Sequence, residues 1–265
     1  VVATTATSSP LNPIPPVPTD GPGAPPTWPA EATQFSAFKT TAAYRKNAAP
    51  ASQNVGGTVN VDGYLQTVMS SNKAIWSEIF KGSGLSMPAL TYDITSRSDR
   101  YVSACTRSGE KIVVTPAYDK LFYCSADNQP YGTIALPTSV LASVWKKDAN
   151  RQLADLVVAT STSRQASLII LKSLEQQLNP PKPTTLGRQY TASCLAGVWA
   201  HAIYAQNAFT DKDLAVALAQ TYSIPSEVDG AVTSPGPSDS VALTSWIVGF
   251  RGGDPGECGL HFWSN

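Results

Sequence analysis

The run from Arg151 to Leu178, RQLADLVVATSTSRQASLIILKSLEQQL, constrains the fold more than any other part of the chain. Leu153, Leu156, Val157, Thr160, Arg164, Leu168, Leu171 and Leu174 recur at helical spacing, which predicts a long helix with one core-facing stripe. The remaining segments are expected to pack around it. Its stripe is interrupted in the middle. Thr160 and Arg164 lie one turn apart on the face that should be apolar, and the residues joining them are Ser, Thr and Ser.

The flanking segments read as shorter elements. Asp62 is expected to cap a first helix through Tyr64, Leu65, Val68, Ala74, Ile75, Trp76 and Ile79, closing near Gly82 and Gly84. Residues 89–94, 111–115, 120–124 and 131–136 read as short strands, parted by Pro116 and by Asp127-Asn128. Pro137 then starts a short helix through Val140, Leu141 and Trp145. Beyond the long helix, Asn179-Pro-Pro-Lys-Pro183 is a firm stop. Further helices are predicted over residues 188–206, 211–222 and 238–250, with a loop at 230–237 and an irregular tail at 251–265. A small sheet followed by packed helices belongs to the α+β class.

Residues 1–50 hold most of the prolines, separated by Ser, Thr, Ala and Gly, and show no apolar periodicity. They read as a largely polyproline II tether, so the folded domain is assigned to residues 51–265. With 42% hydrophobic residues in a chain of 265, that domain can bury a core of its own. Nineteen basic residues balance nineteen acidic ones, and no basic stripe interleaves with aromatics, which argues against a nucleic-acid partner. Only 14% of residues are charged, a composition typical of an exported protein. Cys105, Cys124, Cys194 and Cys258 form no CxxC pair and no cluster with histidine. Two disulfides, in any of three connectivities, are a better reading than a structural zinc, and they imply an oxidising compartment. No apolar run reaches the roughly 20 residues of a membrane span. Contact with a membrane is therefore expected only through an N-terminal anchor that is not among these residues.

Three segments together resemble the bacterial neutral zinc metallopeptidases, a membrane-anchored zincin-like family. They are Phe122-Tyr-Cys-Ser-Ala-Asp127, Thr191-Ala-Ser-Cys-Leu-Ala-Gly-Val-Trp-Ala-His201 and Gly249-Phe-Arg-Gly-Gly-Asp-Pro-Gly-Glu-Cys258. Trp76-Ser-Glu-Ile-Phe80 and Ser103-Ala-Cys105 fit the same pattern. The likeness runs from about Asp62 to Phe262. It implies a zincin-like α+β fold and the pairs Cys105 with Cys124 and Cys194 with Cys258.

The resemblance also places the family's catalytic positions, and here the chain departs from it. Where the family has Ala-His-Glu-x-Gly-His, this sequence has Ala159-Thr-Ser-Thr-Ser-Arg164, so Thr160 and Arg164 replace the histidines and Ser161 the general base. Where the family has Glu-x-x-Ala-Asp-Cys, this sequence has Gln189-Tyr-Thr-Ala-Ser-Cys194, so Gln189 replaces the third ligand and Ser193 the acid beside it. A further His-Gly stretch corresponds to about residues 234–238. Threonine and glutamine are weak neutral donors, and an arginine cannot coordinate because it stays protonated. No zinc and no other cofactor is expected.

Two placements of Arg164 are open. Its guanidinium either fills the vacated metal site, bonded to Gln189, Thr160 or Ser193 with Glu175 or another acid as partner, or it snorkels to solvent. Other chemistries lack their signatures. His201 and His261 are the only histidines, no G-x-S-x-G elbow occurs, and Gly252-Gly253 has no phosphate-loop context. Trp199 and Trp246 are expected in the core, and Trp263 at the surface. The expectation is a catalytically inactive, extracytoplasmic relative of the family that works as a binding or scaffold module in the cell envelope. Thr160, Arg164 and Gln189 form its candidate cleft, and an envelope protein, a peptide or a cell-wall polymer is its partner. The rival expectation is a hydrolase reusing that cleft without zinc.

Overall fold

The long helix does run unbroken from Arg151 to Leu178, and nearly all of it is buried. The computed structural model describes residues 60–260 apart from 97, 129, 148–150, 179–183, 205–209 and 233–239. The expected tether, residues 234–238, His261 and Trp263 lie outside the described residues.

In chain order the elements are α1 (Val61–Ser83), β1 (Tyr92–Thr95), β2 (Tyr101–Arg107), β3 (Glu110–Val114), β4 (Leu121–Cys124), β5 (Thr133–Pro137) and α2 (Thr138–Lys147). The long helix is α3 (Arg151–Leu178), followed by α4 (Thr185–Tyr204), α5 (Asp211–Ser223), β6 (Ser226–Val228), β7 (Ala231–Val232), α6 (Ser240–Gly252) and α7 (Glu257–Leu260). This is an α+β arrangement. Asn60, not Asp62, caps α1, its side chain accepting from the Gly63 amide at 3.0 Å, and Gly84 closes the helix in the left-handed conformation. The short helix Glu257–Leu260 interrupts the tail expected to be irregular.

Three strands were not anticipated. β2 pairs antiparallel with β3 as a separate hairpin, and β6 and β7 extend the main sheet, whose order is β1-β5-β4-β6-β7. That sheet is mixed: β1 with β5 and β4 with β6 are parallel, while β5 with β4 and β6 with β7 are antiparallel.

The sheet is covered on both faces, which explains why β4 and β5 are buried at every position. Leu121 and Tyr123 of β4 and Ile134 and Leu136 of β5 point into the large core shared with the helices. Phe122, Cys124 and Ala135 alternate to the other face and meet Cys105, Ile112 and Val114 of the hairpin in a smaller core. The result is three layers: helices, sheet and hairpin.

On the helical side, α3 packs against α1, α2, α4 and α5 and against the sheet. Helix α4 is buried along much of its length because α3 covers one side and α6 the other. The α4–α6 crossing is a backbone contact. A Cβ on Gly197 would lie 2.2 Å from the Trp246 carbonyl oxygen, and one on Gly249 would lie 2.0 Å from that of Cys194. Trp76, Trp145, Trp199 and Trp246 are all core residues.

Disulfides join Cys105 to Cys124 and Cys194 to Cys258, the connectivity the resemblance implied. The first fastens the hairpin to the sheet; the second fastens α7 to α4. Such bridges fit an oxidising, extracytoplasmic compartment. Among the described residues no helix is long and apolar enough to cross a membrane.

Candidate functional site

The middle of α3 is polar on every face, yet Thr160 through Gln165 are all at most 1% exposed. The helix can bury this run because several hydroxyls bond back to its own carbonyls: Ser161 Oγ to Val157 O at 2.7 Å, Thr162 Oγ1 to Val158 O at 2.8 Å and Ser167 Oγ to Ser163 O at 2.9 Å. Ser163 Oγ reaches across to Asn72 Oδ1 of α1 at 2.9 Å, and the Asn72 amide donates to Val68 O. Ser161, expected in the place of the family's general base, is thus part of the helix's own bonding.

Arg164 is 1% exposed, so it does not snorkel. Nor does it bond Gln189, Thr160 or Ser193, as one of the two expected placements required. Its Nη2 donates to Ser226 Oγ on β6 at 2.5 Å, and its guanidinium lies 5.1 Å from the Tyr222 ring centroid on α5. Gln165 Nε2 donates to the same Ser226 oxygen at 2.8 Å. The proposed partner Glu175 is engaged elsewhere, accepting from Arg188 Nε at 2.8 Å and Nη2 at 3.1 Å. Ser193 Oγ donates to the Gln189 carbonyl one turn back, at 2.7 Å. Arg164 Nε and Nη1 and Thr160 Oγ1 have no bonding partner among the described residues. Burial pushes the arginine down from its ordinary pKa, and the neighbouring Tyr222 only partly opposes this.

Above this buried layer lies a cleft of ≈ 200 Å³ between the C-terminal half of α3, the start of α4 and the β6–β7 turn. Leu168, Leu171 and Val228 give it apolar walls; Lys172, Glu175, Arg188 and Asp229 surround them with charge. Of the expected cleft residues only Gln189 lines it. Arg164 and Thr160 do not line it; they lie one and two turns along the helix from Leu168. The charged rim carries no local sequence signal, because the Arg188–Glu175 pair spans two helices and Asp229 lies just before the segment expected as loop, 230–237.

Asp229 holds one wall. Its carboxylate accepts from the Ser125 amide at 2.6 Å and from Ser125 Oγ at 3.0 Å. Its Oδ1 is also 3.5 Å from Cys105 Sγ, a contact and not a hydrogen bond, since a disulfide sulfur carries no proton. Cys105, Cys124 and Asp229 are spaced like metal ligands, but both sulfurs are committed to their mutual bond.

On the far side of β6, Glu227 is fully buried. It accepts from Arg107 Nε at 3.1 Å, from Arg107 Nη2 and from Tyr118 Oη at 2.6 Å. Burial alone would raise its pKa, but these donors outweigh burial and hold it below the ordinary value of 4.5. Burial and the carboxylate push the Tyr118 phenol up to about 12, so it remains a donor.

His201 Nδ1 donates to the Phe250 carbonyl at 2.6 Å, tying α4 to α6. The hydroxyl of Ser125 in the cleft faces Asp229, so no serine–histidine pair forms among the described lining residues.

Compared with known proteins, the chain matches no family model, no curated protein and no solved structure.

Proposed function

We propose that this is an extracytoplasmic binding module, a zincin-like scaffold without peptidase chemistry, whose ligand sits in the cleft between α3, α4 and the β6–β7 turn. The observation that carries the reading is the buried Arg164 at the centre of α3, where the resemblance would put a metal-binding histidine. A zinc ion does not fit these residues. The guanidinium has no lone pair to give and brings its own positive charge, while the Ser161 hydroxyl is turned back onto the helix carbonyl of Val157. Binding needs none of the missing groups. A concave surface with apolar walls and a charged rim is sufficient for recognition. The two disulfides and the low charge content support an envelope or secreted location, with an envelope protein, a peptide or a cell-wall polymer as the partner class.

Metal analysis of the purified chain, together with cleavage assays on casein and mixed peptides, tests the proposal. We expect no stoichiometric zinc and no chelator-sensitive cleavage; tightly bound zinc with cleavage abolished by chelator would overturn it. Restoring Thr160→His, Ser161→Glu, Arg164→His and Gln189→Glu together probes the assignment of positions. Zinc uptake by that variant supports the zincin-like arrangement of α3 and α4.

A further inference from the structure

Arg164 does not itself line the cleft, but its neighbours one step along α3 and β6 do. Leu168 follows Arg164 by one turn on the same helix face, and Val228 follows Ser226 by one pleat repeat on the same side of β6. Leu168 and Val228 line the cleft, whereas Arg164 and Ser226 are bonded to each other beneath them. The guanidinium is buried, bonded to a strand whose next inward residue forms part of the cleft wall. Thr160 Oγ1 is a further turn down the same face.

A buried cation normally has an anion beside it. The carboxylates of the cleft and of β6 serve other groups: Glu175 is held by Arg188, Glu227 by Arg107 and Tyr118, and Asp229 by Ser125. Asp127 accepts from Tyr101 Oη at 2.5 Å, from Ser103 Oγ at 2.7 Å and from the Ala104 amide at 2.6 Å. Arg164 is left with N–H donors on Nε and Nη1 that no described protein atom accepts, next to a hydroxyl in the same condition. Deepening the binding role proposed above, on which this step rests, we infer that the site takes a carboxylate group brought in through the cleft, received by the Arg164 guanidinium and the Thr160 hydroxyl.

The charge count favours a carboxylate over a phosphate. The Arg164 guanidinium, with no carboxylate bonded to it, balances one negative charge, and a phosphate dianion would bury a second. Walls formed by Leu168, Leu171 and Val228 suit the uncharged remainder of a short chain end.

The test uses the whole oxidised chain and three probes: acetate, N-acetyl-Ala-Ala and the C-terminal amide of that dipeptide. Thermal unfolding and amide chemical shifts are followed during titration. We expect the free acid to raise Tm saturably and shift the amides of Leu168 and Ser226, with the amide form at least tenfold weaker. Arg164→Met should remove the difference between acid and amide. Acetate binding as tightly as the dipeptide acid supports a site for free carboxylates; a clear preference for the dipeptide assigns it to chain ends. Equal binding of acid and amide overturns the inference while leaving the cleft as a binding surface, and no response to either acid or acetate overturns it as well. The acid–amide comparison needs only the wild-type chain, so it decides the matter even if Arg164→Met fails to fold.

Discussion

Ser226 and Glu227 are neighbours on β6, and the two faces of that short strand solve the problem of buried charge in opposite ways. On the hairpin side, Glu227 meets Arg107 and Tyr118, so charge and hydrogen bonds are both satisfied. On the helical side, Ser226 meets Arg164, a full cation held by one neutral oxygen and a ring face. The first arrangement is what a stable interior requires. The second leaves two of the guanidinium nitrogens without an acceptor among the described residues.

The comparison can be broken from either side, and urea unfolding followed by tryptophan fluorescence at neutral pH reads each case. The largest loss is expected from replacing both Cys105 and Cys124 by alanine. Releasing a loop of sequence separation 19 costs about 3 kcal/mol by chain entropy, and the hairpin that carries Arg107 loosens with it. Ser226→Ala comes next, at about 2 kcal/mol, because it takes the acceptor from Arg164 and from Gln165 together. A loss below about 0.5 kcal/mol there would mean that Ser226 does not hold the arginine. Glu227→Gln should cost about 1–2 kcal/mol, moderated because Arg107 is half exposed and can turn to water.

That last variant carries a pH signature. The folded pKa of Glu227 lies below its unfolded value of 4.5, so its contribution is present above that value and is lost as pH falls through the folded pKa. The wild type should therefore lose stability on acidification below about pH 4.5 more steeply than Glu227→Gln. Parallel curves would show that the carboxylate contributes no such linkage. The smallest loss is expected from Arg164→Met. Exchanging an incompletely paired buried cation for an apolar side chain of similar length should leave stability unchanged or raise it by about 1–4 kcal/mol. A drop of several kcal/mol would place Arg164 among the structural ion partners, alongside Arg107.

Much of the architecture could be read from hydrophobic spacing, and the failures share a cause. Helices α1, α3 and α4 and strands β4 and β5 carry their apolar residues where the core needs them. Strand β2 reverses that rule. Val102 is 50% exposed while Ser103 is buried, because the serine hydroxyl bonds Asp127 in the turn that follows β4. Strand β6 escaped notice for the same reason: its buried residues are Ser226 and Glu227, inside only because Arg164, Arg107 and Tyr118 reach them from distant segments. The positions on α3 were legible and the environment of Arg164 was not. Its actual neighbours, Ser226 and Tyr222, lie about sixty residues away in sequence and gave no local signal.

The Cys194–Cys258 bridge bears on how the domain would carry a mechanical load. Helices α4 and α6 touch through Gly197 and Gly249, and the disulfide then ties the end of the described chain back to α4. Tension applied at residue 260 passes through a covalent bond directly into the centre of the helical layer. The intervening stretch, a sequence separation of 64 that includes α5, β6, β7 and α6, is bypassed. A pull from that end would thus leave the β6 wall of the cleft unstretched until α4 itself gave way.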